Sequence, residues 1–327
     1  MSRGTQLDLF ATPPDRRRVG PAAVGAEVAA LAARLSPRIR LGTSTWSFPG
    51  WHGLVYDRPV TEAVLSRDGL AAYAAHPLLR AAGVDRGYYR ALSAGEALAY
   101  AEEVPADFRF VVKAPEELTL ARFDGHPRTG GRRGDNPRFL DGGFARDTVV
   151  GPLLAGFGDK LGVLVFQFPP QDLGTAGRFG GALRRFFRAL PRGPLYAVEV
   201  RNRNVFGPVL AEALAASGAL PCLSHHPSLP DLRTQAEITL ALGAPALVVR
   251  WNLGHGLGYE EARGRFAPFD RLVAPDLSTR HLLAELCRAA VRERREVFVT
   301  INNKAEGSAP HSVVALAREI VEGTAEE

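Results

Sequence analysis

Short apolar runs recur along the chain at intervals that leave room for a helix between them. Ile39–Ser44, Phe108–Lys113, Gly162–Phe168, Tyr196–Val200, Leu220–Leu223, Ala246–Trp251 and Glu296–Ile301 read as strands. Several are almost continuously apolar, the pattern of parallel strands covered on both faces. A less defined strand is placed around Val84–Tyr89, because Ala71–Asp85 reads more like helix than strand. Stretches of helical period, Gly181–Leu190, Val209–Ser217, Arg280–Glu293 and Ser312–Glu322, fall between or after these runs. Near the start, Ala22–Leu35 is a small amphipathic helix with Val24, Val28, Leu31 and Leu35 on one face. Eight strands alternating with helices predict an α/β fold, a (β/α)8 TIM-like barrel. No Gly-x-Gly-x-x-Gly follows a strand and opens a helix, which argues against a dinucleotide-binding doubly wound sheet.

Two segments break the alternation. Residues 1–21 are polar, with Pro13, Pro14 and Arg16-Arg17-Arg18, and read as a disordered N-terminal tail ahead of a single barrel domain over 22–327. Phe123–Asp147, rich in Gly, Arg, Asp and Pro and without a period, reads as a mobile Arg/Gly-rich loop after the third strand.

Composition narrows the class without choosing a reaction. The 327 residues are 46% hydrophobic and 23% charged, an ordinary globular mix. No apolar run is long enough to cross a bilayer and no apolar leader follows Met1, so a cytoplasmic protein is expected. Two cysteines, Cys222 and Cys287, make no disulfide framework and have no metal-type spacing. A net charge of +5 is too mild for a nucleic-acid signature. Of 40 cationic residues only Lys113, Lys160 and Lys304 are lysines. In so arginine-rich a chain, a surviving lysine suggests a task that guanidinium cannot do.

In such a barrel, chemistry gathers at the C-terminal ends of the strands. Those ends carry Ser44, Thr45 and Trp46; Asp85 and Tyr89; Lys113; Gln167; Glu199 and Arg201; Ser224 and His225; Arg250 and Asn252; Asn302 and Asn303. By alternation, Glu199 and Arg201 share a face with Ala197, Arg250 with Val248, and Lys113 with Val111. The histidines are scattered and His225-His226 diverge on a strand, so no metal site and no cofactor is read. Glu199 is the one carboxylate placed firmly at a strand end, which gives little support to glycosidase-type carboxylate pairs.

The chain from about Arg38 to Ile320 resembles the domain-of-unknown-function 72 family (YecE-like). The matching pieces run in order from Gly42-Thr43-Ser44-Thr45-Trp46-Ser47-Phe48, with Trp51 and Tyr56, to Tyr88-Tyr89-Arg90 and Phe108–Ala114. Leu164–Pro170, Tyr196–Arg201, Val248-Val249-Arg250 and Ile301-Asn302-Asn303 follow. The resemblance implies a TIM-barrel-like fold with a pocket at the mouth; it brings no settled reaction. The chain departs from the family pattern at Gly83 and Asp85, where a glutamate and an asparagine stand in the family. It departs again at Thr119-Leu120, where the family has Thr-His.

The candidate chemistry then centres on Lys113. A lysine in a desolvated mouth has its pKa lowered enough to form a Schiff base. Glu199 would move protons, and Arg201 and Arg250 would clamp a carboxylate or phosphate. A structural ion pair between Lys113 and Glu199 is the alternative. Gln167, Asn302 and Asn303 suit hydroxyls or bases; Trp46, Tyr89 and Trp251 offer stacking faces or ordinary wall packing. Catalytic candidates are thus Lys113, Glu199 and Arg201, and ligand-binding candidates Trp46, Tyr89, Gln167, Arg250, Asn302 and Asn303. The expected ligand is a small polar anion, phosphorylated or nucleic-acid-derived. Three functions stay open: an enzyme on such an anion, a non-catalytic nucleotide or nucleic-acid-end binding module, and a metabolic Schiff-base lyase.

Outside the barrel, Gln6-Leu7-Asp8-Leu9-Phe10 resembles the pentapeptide by which bacterial proteins dock on the DNA polymerase sliding clamp. An extended tail would offer Leu9 and Phe10 to a preformed apolar pocket. The competing expectation is that these residues pack back on the barrel.

Overall fold

The computed structural model describes residues 19–125, 130–226, 229–240, 242–254 and 256–323. Eight parallel strands surround one axis, in the order the chain delivers them. They are β1 Ile39–Thr43, β2 Ala81–Val84, β3 Arg109–Lys113, β4 Leu161–Phe168 and β5 Leu195–Val200. After them come β6 in two pieces (Ala219–Pro221 and Leu223–Ser224), β7 Ala246–Trp251 and β8 Glu296–Ile301. The first piece of β6 pairs with β5 and the second with β7, so the covalent link at Cys222 completes the ring. Helices follow each strand and cover the outside, as the sequence predicts.

Side chains alternate between two cores. Inside the ring, Val111, Val163, Val165, Ala197, Cys222, Val248 and Phe298 fill the middle. Leu41, Phe110, Phe166, Val249 and Val299 point outward into the layer of helices. Burying each large aliphatic side chain contributes about 1.5–3 kcal/mol, so both layers hold the barrel shut. Among the described residues no helix is long and apolar enough to cross a membrane.

The structure revises several boundaries for local reasons. β2 lies at Ala81–Val84, upstream of the expected Val84–Tyr89, whose Asp85–Tyr88 part is a 3-10 turn. Its close approach to β1 requires glycine on both sides: a Cβ on Gly42 of β1 would stand 1.9 Å from the Ala81 carbonyl oxygen, and one on Gly83 of β2 2.8 Å from the Ser44 carbonyl oxygen. The helix expected from Gly181 starts at Ala176, because the Thr175 side chain accepts from the Arg178 N–H and caps it. Asp276 likewise starts the next-to-last helix at Leu277. The last helix begins at Ala309, with proline in its first turn, three residues ahead of the expected Ser312.

Order also reaches further toward the N-terminus than the expected boundary at residue 22. Val19 is buried, and the Gly20 carbonyl accepts from the Asp57 N–H at 2.9 Å. The expected structureless loop at 123–147 contains an antiparallel hairpin, Arg122–Asp124 against Arg133–Asp135, and turns helical from Gly142. Buried Asn136 fixes its base by donating to the carbonyls of Glu117 at 2.8 Å and Leu120 at 2.6 Å. Phe123 is buried under the Arg132 guanidinium, which lies 4.1 Å from its ring centroid. Its tip, 126–129, is outside the described residues, as are Gln6, Leu7, Asp8, Leu9 and Phe10.

Candidate functional site at the C-terminal mouth

Strand register sets the mouth. Gln167 of β4 stands beside Glu199 of β5, and Arg250 of β7 beside Ser224 of β6. The interior faces of these strands are apolar until their last inward position, where each carries a polar group. The result is a ring of polar side chains seated on the apolar barrel core.

Glu199 is at its centre and is fully buried. Its Oε2 accepts from Arg250 Nη1 at 2.5 Å. Its Oε1 accepts from Arg201 Nε at 3.0 Å and from the Ser224 hydroxyl at 3.2 Å. Arg250 also donates through Nη2 to both Asp85 oxygens, at 3.1 and 3.2 Å, and through Nη1 to Gln167 Oε1 at 3.3 Å. Ser224 accepts in turn from Asn252 Nδ2 at 3.2 Å. Gln235, reaching in from the helix Leu232–Leu240, clasps the Ser224 main chain, accepting from its N–H and donating to its carbonyl, both at 3.0 Å. Sequence periodicity carried no sign of Gln235, since it belongs to a helix and not to a strand end.

Burial is the largest single influence on Glu199 and pushes its pKa up. Arg250, Arg201 and Lys113 together outweigh it and hold the carboxyl down to about 2. Glu199 is therefore an ionised hub, with both oxygens engaged. A carboxylate so placed is a poor proton shuttle at neutral pH, and its geometry is that of a group positioning two guanidiniums.

Lys113 is different. No ion pair or hydrogen bond engages its Nζ among the described residues; the ammonium lies over the Tyr88 ring, 3.6 Å from the centroid. The alternative of a Lys113–Glu199 ion pair is not what forms. Burial lowers the amine to about 8, with Arg250 and Arg201 acting the same way and Asp85 and Glu199 opposing. Tyr88 enters the sequence reading only within the Tyr88-Tyr89-Arg90 piece, and the ligand-binding role is assigned there to Tyr89. The two adjacent rings meet edge to face at 5.5 Å, and Tyr89 projects outward, 61% exposed. Both line a cleft of about 500 Å³ beside the mouth, shared with Glu116, Asp124 and Pro169-Pro170.

Three expected residues are taken up by packing or hydrogen bonds within the fold. Trp46 is buried edge-on against Tyr100, ring centroids 5.0 Å apart, as wall packing. Trp251 is fully buried as well. Asn303 faces the core, where its Oδ1 accepts from Ala309 N at 2.8 Å and Trp51 Nε1 at 3.1 Å, holding the start of the last helix. Its neighbour Asn302 stays at the rim and donates to the Ser44 hydroxyl at 2.8 Å. His, Cys, Asp and Glu side chains form no metal-holding group of three or more among the described residues.

The family described as "Protein of unknown function DUF72" matches residues 40–326. A DUF72 family protein from Enterococcus faecalis V583 is similar in structure at 19% identity, covering 86% of this chain and 95% of its own, with a TM-score of 0.60. One from Thermotoga maritima MSB8 is similar at 20% identity over 87% of this chain and 99% of its own, with a TM-score of 0.59. At these identities the likeness concerns the fold. No curated protein matches the chain.

Proposed function

The chain belongs to the DUF72 family, and from the cluster at its barrel mouth we propose an enzyme that acts through the Lys113 amine on a small polar anion, phosphorylated or nucleic-acid-derived. One observation carries this reading: Lys113 is desolvated, held near pKa 8, and engaged in no ion pair among the described residues, in a ring whose guanidiniums are paired to carboxylates. A purely structural lysine in that position would be expected to take Asp85 or Glu199 as its partner.

The chemistry follows from the charge. As a free amine, Lys113 adds to an aldehyde or ketone carbon; the carbinolamine takes up a proton, loses water and leaves an iminium. That iminium has the ammonium's charge in the same place, so Asp85 and Glu199 stabilise it as they did the protonated lysine. Arg201, whose side chain is 22% exposed against 5% for Arg250, is the guanidinium that meets the substrate's anionic end. Glu199 and Arg250 position it.

Borohydride trapping tests the reading, with a panel of keto acids, phosphorylated aldehydes and an abasic oligonucleotide. A mass increment at Lys113 is expected, rising with pH up to about 8 as the free amine is released. No adduct across the panel, with nucleotides still bound, would make the mouth a binding module.

Recruitment to the sliding clamp remains a proposal from Gln6, Leu7, Asp8, Leu9 and Phe10. A labelled peptide of residues 1–20 is expected to bind the purified clamp with about −7 to −9 kcal/mol, and to lose that binding when Leu9 and Phe10 become alanine. Silence at tens of micromolar removes the link.

A further inference from the structure

The opposite, N-terminal end of the barrel holds a second polar funnel that the mouth does not use. Arg40 of β1 and Arg109 of β3 line it with Glu296 and Phe298 of β8, around a cavity of about 370 Å³. Positive charge there exceeds negative. Glu296 is already shared, paired both with Arg40 and with Arg38, the latter at 2.8 Å. Arg109 has no carboxylate partner among the described residues; its Nη1 donates only to the main-chain carbonyls of Ala106 at 2.8 Å and Phe108 at 2.9 Å. The Nε of Arg40 is buried without a hydrogen-bond partner. Burial first, and the charge of Arg40 next, press the Arg109 guanidinium below its usual range, against the opposing pull of Asp159, Asp107 and Glu296. Arginine does not resolve such stress by giving up its proton at neutral pH. An anion resolves it.

We infer that this funnel binds a small phosphate-bearing anion, bridged between Arg40 and Arg109. A carboxylate offers two coplanar oxygens, whereas a phosphate offers three or four disposed tetrahedrally. Guanidinium donors arriving from separate strands match the several tetrahedrally disposed oxygens of a phosphate. The cavity falls in the range that holds small organic ligands, so the anion has room for an organic body. The site is independent of Lys113 and stands whether or not the mouth is catalytic.

Calorimetric titration of the full chain with inorganic phosphate and pyrophosphate tests this. Pyrophosphate is expected to bind, and Arg109→Gln to weaken it by about tenfold or more. Heat that Arg201→Ala removes belongs to the mouth, and the part lost in Arg109→Gln is expected to persist in Arg201→Ala. Without ligand, Arg109→Gln should melt no lower than the wild type, because it removes a desolvated charge that forms no ion pair among the described residues; a structural arginine would show a clear drop. Arg40→Lys keeps the charge and loses the fork, and is expected to weaken pyrophosphate with little change in melting. No heat at about 10 mM of either probe overturns the inference. So does binding that Arg201→Ala abolishes and Arg109→Gln spares.

Discussion

Lys113→Met is expected to make the protein more stable at pH 7 while removing every adduct at the mouth. Folding lowers the amine from 10.5 to about 8, mainly by burial. The sign follows. Below pH 8 the lysine is charged in both states, and the folded state bears the full cost of holding a desolvated ammonium. Between 8 and 10.5 the folded state sheds its proton first and the cost fades; above 10.5 it is gone. A shift of this size corresponds to roughly 3 kcal/mol at neutral pH. Losing the contact with the Tyr88 ring gives back about 1 kcal/mol. Methionine fills similar space without charge, so a net gain of about 2 kcal/mol is expected at pH 7. Urea unfolding of both proteins at pH 7 and pH 10.5 checks it, the gap narrowing at the higher pH. A variant less stable at pH 7 would mean that the ammonium is a structural cation, and the proposed chemistry would lose its motive.

The sequence showed the ring of strands well because most of them are apolar runs bounded by polar residues. β2 escaped for a physical reason. It packs so close to β1 that neither Gly42 nor Gly83 has room for a Cβ, and a run of small residues such as Ala81-Ala82-Gly83 looks no different from helix. Alternation also placed Lys113, Glu199 and Arg250 on the inner face, since a strand's period of two survives to its last residue. It gives no guidance at the turns that follow β8 and β2. Asn302 and Asn303 follow β8, and Tyr88 and Tyr89 follow β2, where the chain has already turned. There the choice of which neighbour faces the mouth is made by tertiary partners: Trp51 and Ala309 claim Asn303, and Lys113 lies on Tyr88. The division of labour among the charges was invisible for a related reason. Whether Glu199 moves a proton or holds one off depends on how many guanidiniums converge on it, and Arg250 arrives from 51 residues further along the chain.

Arg250→Ala is expected to cost the most stability of any change at the mouth, about 3–5 kcal/mol, because it leaves a fully buried carboxylate short of its closest counterion. The loss includes the contacts to Asp85 and Gln167, so the neighbouring strands lose a shared tie as well. Glu199→Gln removes the hub instead and strands Arg250 with Asp85 alone; a loss of about 2–4 kcal/mol is expected. Arg201→Ala should cost less than either, since Arg201 is the more exposed guanidinium and Glu199 keeps Arg250 and Ser224. This ordering separates holding from binding. If Arg201 meets the ligand, its variant loses binding with the fold nearly unchanged, while the other two lose both. The double variant Glu199→Gln, Arg250→Met adds a sharper check: with no charge left unpaired between those positions, it should recover much of the stability that Arg250→Ala loses. Acid titration completes the argument. Glu199 is held at about 2 in the fold, below its usual 4.5, so its stabilising contribution is full above pH 4.5 and drains away as pH falls toward 2. Glu199→Gln should flatten that part of the wild-type acid unfolding curve. A variant curve parallel to the wild type through pH 4.5–2 would show that the carboxylate is not ionised in the folded mouth, and the assignment of Glu199 as a positioning hub would fall.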